Sequence, residues 1–130
     1  MLAIIVATFA GCGGKRGREL APVSGKVTYQ GKPLQFGTVL FQPDRGQYAV
    51  GKIRQDGSFQ MMTPGEGDGA PIGKHCVRIT CREKQNSDRT VGERPLGELL
   101  IPEKYNSCAT SGITVEVRPG ANDPVILDLK

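Results

Sequence analysis

Tryptophan is absent from these 130 residues, histidine occurs once, and aromatics make up 5% of the chain. A core without large rings must rest on Val, Ile and Leu with a few Phe and Tyr. The scarcity also bears on function. A sugar-binding platform would have to come from Tyr29, Tyr48 or Tyr105. Tyr29 falls on a core face, which leaves Tyr48 and Tyr105 as candidate ligand contacts. A groove for single-stranded nucleic acid interleaves basic residues with stacking aromatics. Here 17 basic and 13 acidic residues are dispersed along the chain, with a net charge of +4. That is the pattern of a mixed solvated surface, and no nucleic-acid partner is expected.

Patterns that carry chemistry are missing as well. There is no CxxC pair, and one histidine cannot complete a Cys/His zinc set. A thiol–imidazole nucleophile needs the two side chains in contact. Cys76 follows His75 directly, so on a strand the two point to opposite faces. No G-x-S-x-G elbow occurs. The stretch "GEGDGAP" offers Glu66 and Asp68 to a cation, but it lacks the acidic repeat and closing Glu of an EF-hand loop. It also lacks the Gly-Lys-Ser/Thr of a phosphate loop. The sequence predicts no enzyme, no metal and no cofactor.

Nor is there an apolar run long enough to cross a bilayer, which takes about 20 residues. Residues 2–10, "LAIIVATFA", fit the hydrophobic segment of a secretory signal instead. They run into Ala10-Gly11-Cys12, which looks like a bacterial lipobox, with Phe9 where Leu is usual and no Lys or Arg ahead of the run. On this reading residues 1–11 are a lipoprotein-type signal peptide. Cleavage leaves Cys12 as the lipidated N-terminus, carrying diacylglycerol and a third fatty-acyl chain such as palmitate. Such a set of chains anchors stably, as one alone would not. Residues 12–21 are then a flexible, hydrated tether and residues 22–130 the folded domain, held at the cell envelope facing the periplasm or the exterior. Lys15, Arg16 and Arg18 keep the tether solvated, and contact with anionic headgroups is the alternative role for them.

What the chain does have is turn chemistry, with 18 Gly and 9 Pro, and period-two alternation between the turns. Five runs are clear: Val23–Tyr29, Gly37–Pro43, Tyr48–Arg54, Ser58–Thr63 and Lys74–Arg82. The expected inward faces are Val23, Gly25, Val27 and Tyr29; Val39 and Phe41; Phe59 and Met61; and His75, Val77, Ile79 and Cys81. Asp56-Gly57 between the third and fourth runs is a strong hairpin signal. "PGEGDGAPIG" reads as a glycine-rich loop. Residues 83–112 have no sustained period, and within them "GELLIPEKY" offers a short helical turn or an apolar contact with the sheet edge. Two more runs follow, Ile113–Val117 and Val125–Leu129, joined by "RPGAND". The expected fold is all-β, a seven-stranded sandwich of Greek-key character with a long loop between strands five and six and no helix beyond that short turn.

"VSGKVTYQGKPLQFGTVLFQPD", "GKIRQDGSFQM", "GDGAPIGKHCVRI" and "LIPEKYNSCATSGITVEVRPGAN", in that order, resemble a family of short bacterial lipoproteins abundant in planctomycete-type bacteria. These carry a carboxypeptidase-regulatory-like, transthyretin-like domain, and the resemblance spans residues 12–130. It implies a prealbumin-like sandwich and a non-catalytic accessory or adhesion role. Cys108, in "KYNSCATSG", departs from the family pattern.

In an exported chain Cys76, Cys81 and Cys108 meet oxidising conditions. Cys76 and Cys81 lie on opposite faces of one strand, about 16 Å apart, too far to bridge. A Cys81–Cys108 disulfide forms if the long loop folds back over the end of the fifth strand, stabilising by about 3 kcal/mol. Otherwise Cys81 and Cys108 are buried free thiols and Cys76 is an outward thiol or an intermolecular link. The functional expectation is a lipid-anchored, non-catalytic structural or protein-interaction module. The alternative is a periplasmic or surface module that binds a carbohydrate or small ligand. Its partner is the membrane, through the anchor, together with an unidentified envelope protein or glycan.

Overall fold

The computed structural model describes residues 19–83 and 97–130. Cys12, the expected signal peptide, residues 12–18 of the expected tether and the centre of the long loop lie outside the described residues.

Eleven strands account for nearly half of the described residues. They are β1 (Leu20–Ala21), β2 (Ser24–Tyr29), β3 (Lys32–Pro33), β4 (Thr38–Pro43), β5 (Ala49–Lys52), β6 (Ser58–Thr63), β7 (Gly67–Asp68), β8 (Ala70–Pro71), β9 (Gly73–Thr80), β10 (Thr114–Val117) and β11 (Val125–Leu129). Seven of them form one hydrogen-bonded path, β10-β9-β4-β5-β6-β2-β11, with β3 added to β2 and β7 to β6. A separate two-stranded piece pairs β1 with β8. Every pairing is antiparallel except that of β11 with β2, which is parallel. The fold is all-β, as expected.

The alternation drives this arrangement. Val27, Val39, Phe41, Phe59, Met61, Val77 and Ile79 are all fully buried, and each occupies an inward position of its strand. Removing such a side chain from water is worth about 1.5–3 kcal/mol apiece, which pins the register, since a slip of one residue would turn the set outward. The β5–β6 hairpin closes at Asp56-Gly57. The backbone N–H and the hydroxyl of Ser58 both donate to Asp56 Oδ1, at 3.0 and 2.6 Å. These bonds hold the Asp56 carboxyl below the usual carboxylate range.

The register gives the domain two ends. At the proximal end β2 and β11 begin and β4, β6 and β10 finish. The chain enters there, where Glu19 accepts a bond from the Ile72 N–H. The distal end holds the hairpin turn and the finish of β2, β9 and β11.

Three expectations change in detail. "PGEGDGAPIG" is not a plain loop, because it contains β7 and β8. Buried Thr63 Oγ1 donates to the carbonyl of Gly69, the residue between β7 and β8, at 3.0 Å and draws the segment back onto β6. The sheet begins at Leu20, so the last two residues of the expected tether are strand, with Ala21 buried against β8. The short helical turn offered by "GELLIPEKY" is present as a 3₁₀ turn (Glu103–Asn106), and a single α-helical turn, α1 (Cys108–Ser111), follows it where none was expected. Ser107 caps α1 by accepting from the Ala109 N–H at 3.3 Å. Each is too short to leave a periodic signature in sequence.

Candidate functional site

The outer face of β9 is where the irregular segment returns. β10 covers only Gly73 to Cys76 of β9, through the pairs Val117↔Gly73 and Thr114↔Cys76. The remainder of the strand is flanked by residues 103–113, which act as a strap. Arg78 Nε donates to the Asn106 carbonyl at 3.0 Å, and Thr80 Oγ1 donates to Asn106 Oδ1 at 2.7 Å. Beyond it Leu99 bridges to Arg82, and Ile101 is buried while Leu100 is 44% exposed.

A disulfide fastens this strap, and it is not the one expected. Cys108 is bonded to Cys76, with the Cα atoms 5.6 Å apart, and Cys81 is a free thiol buried in the core. The reason is directional. Cys81 points inward with Val77 and Ile79, whereas the strap lies on the outer surface and meets the outward Cys76. Burial raises the pKa of the Cys81 thiol. In the native protein Cys81 should therefore resist iodoacetamide at neutral pH and react once denaturant is added. Peptide mapping checks this, and brisk native labelling at Cys81 would contradict its buried position.

His75 also faces inward and is fully buried. Its Nε2 lies 2.6 Å from the Pro71 carbonyl. A carbonyl only accepts, so Nε2 carries the proton and donates. The ring packs on Phe41 with centroids 5.8 Å apart. This imidazole staples β9 to the β8 segment. The structure separates it from Cys76, which points to the opposite face and is already bonded.

The two candidate tyrosines are not brought together. Tyr105 is 6% exposed, and its hydroxyl accepts from the Lys130 N–H at 3.2 Å, so it anchors the strap beyond the end of β11 and offers no ligand surface. Tyr48 is 46% exposed at the proximal end, just before β5. Glu66 and Asp68 are exposed, and no group of His, Cys, Asp or Glu that could hold a metal occurs among the described residues.

Concavities open at two places among the described residues that bear on binding. One, of about 310 Å³, opens between β10 and β11, the two ends of the strand path, over Val23, Val115, Val117 and Val125. Asn122 builds its wall, accepting from the Arg118 N–H at 3.0 Å and donating to the Arg118 carbonyl at 2.9 Å. The other, of about 300 Å³, lies on the outer face of β4 and β5 toward the distal end and includes Phe36 and Lys52. Comparison with family models, characterised proteins and solved structures finds no match. The local geometry alone therefore carries the functional argument. Sequence reasoning overlooked the Phe36 groove. Phe36 falls between two strand runs, where alternation assigns no face.

Proposed function

We propose that this chain is a lipid-anchored, exported β-domain of the cell envelope that acts as a non-catalytic structural or protein-interaction module. The observation that carries the reading is the Cys76–Cys108 disulfide. Structural disulfides belong to oxidising compartments, and this one accompanies an apolar N-terminal run that stops at Cys12. Sequestration of the lone imidazole beneath the sheet, on a carbonyl partner, fits a scaffold and not a hydrolase. The finer architecture belongs to the same proposal: a seven-stranded Greek-key sandwich, prealbumin-like, with β10-β9-β4-β5 as one layer and β6-β2-β11 as the other. The strand order and the parallel β2–β11 pairing support it. Membership of the planctomycete-type lipoprotein family is part of this reading. The interaction surfaces it offers are the strap, the proximal loops and the free edges of β10 and β11, where a partner strand can add.

Mass spectrometry of the N-terminal peptide from native envelopes tests the anchor. The expected product begins at Cys12 and carries a diacylglyceryl thioether and an acylated amine. An unmodified peptide running from Met1 through Cys12 would sink the proposal. Crosslinking in the same envelopes should recover a stoichiometric partner, whereas substrate turnover by the purified domain would rule out a non-catalytic role.

A further inference from the structure

We propose that the groove on the outer face of β4 and β5 binds an acidic sugar residue, a uronic-acid unit of a glycan. Its volume of about 300 Å³ suits one sugar ring and little more. Phe36, half-buried and packed against the core, gives it an apolar wall beside Val50 and Ile53. Gly37 fixes that wall in place. Its φ is +126°, and a Cβ there would lie 2.6 Å from the Thr80 carbonyl oxygen, so only glycine lets the chain turn this close to β9. The Gly37 carbonyl in turn accepts from the Ile53 N–H at 2.9 Å. A ring held this way can lie against the C–H face of a pyranose.

The polar groups match the other parts of such a ligand. Thr38 and Lys52 are directly opposite each other in the β4–β5 register, and Gln35 stands at the rim. The Gln35 amide can bond sugar hydroxyls. Lys52 is exposed, and among the described residues no carboxylate lines the groove and none is ion-paired with Lys52. A single ammonium beside an amide selects one carboxylate. A phosphate-rich polymer would call for several cations. A peptide docking through its main chain is disfavoured for a structural reason. β4 and β5 each have strand neighbours on both sides, so no unpaired backbone edge borders the groove. The assignment is independent of how the chain is anchored.

Titration of the full chain with digalacturonic acid, its methyl ester and tetraglutamate, followed by amide chemical shifts, tests it. Saturable binding of the acid is expected, with shifts at Phe36, Thr38 and Lys52. The ester should bind at least about tenfold more weakly, and tetraglutamate should produce no saturable shift there. Lys52→Gln should abolish the preference for acid over ester while leaving the unfolding midpoint unchanged. Phe36→Leu should weaken both sugars. The proposal is overturned by absence of saturable sugar binding, by equal affinity for acid and ester, by tetraglutamate binding as well as the acid, or by a Lys52→Gln variant that still discriminates.

Discussion

Replacing Cys108 with serine is expected to lower folding stability by about 3–4 kcal/mol. The bond joins residues 32 apart in sequence, and closing a loop of that size removes about that much chain entropy from the unfolded state. The native strap should stay docked, because the bonds from Arg78 and Thr80 to Asn106 do not depend on the sulfur. The effect therefore acts through the unfolded ensemble. For a domain near 100 residues it corresponds to a fall in Tm of the order of 15 °C. Thermal unfolding with and without reductant checks this. Reduced wild type should melt with Cys108→Ser, and reductant should leave the variant unmoved. Retention of the oxidised wild-type midpoint by Cys108→Ser would show that the bridge is thermodynamically idle.

The same bond shows what alternation in the sequence could and could not convey. Period two placed Cys81 inward and Cys76 outward, and both placements hold in the structure. The partner of Cys108 depended on the path of residues 83–107, which have no period to read. In hindsight one physical constraint was available. The inner face of β9 is filled by the core, so a segment returning over the surface can reach only an outward thiol. The inward sets of β2, β4, β6 and β9 were legible for the same reason that they are stable, since apolar side chains on one face have a single place to go. Short devices were not legible. β7, β8 and α1 span two, two and four residues, and each depends on a tertiary partner such as the Thr63–Gly69 bond. The Phe36 groove belongs with these, because its wall is set by the tight passage of Gly37 past Thr80 and not by any pattern around Phe36.

Gly25→Val is expected to be the most damaging single substitution, costing more than about 4 kcal/mol, a size reserved for severe core faults. Gly25 lies in β2 opposite Phe59 of β6 on one side and Val125 of β11 on the other. A Cβ built there would strike the Val125 carbonyl oxygen and lie 2.6 Å from the Phe59 ring. The ring can swing, but the oxygen belongs to the backbone and yields only if β11 separates from β2. That separation would release Leu127 and Leu129, 4% and 1% exposed, from the core. It would also break the Thr28–Asp128 bond of 2.9 Å between the same two strands. Gly25→Ala should show a milder form of the defect, with β11 amides losing hydrogen-exchange protection before those of β4 and β9. Ser24→Ala, one residue away at an exposed position, should be nearly neutral. Unfolding curves and residue-resolved exchange measure both effects. A Gly25→Val protein within 1 kcal/mol of wild type, with β11 still protected, would mean that the chain's final strand does not pair with β2 in this parallel register.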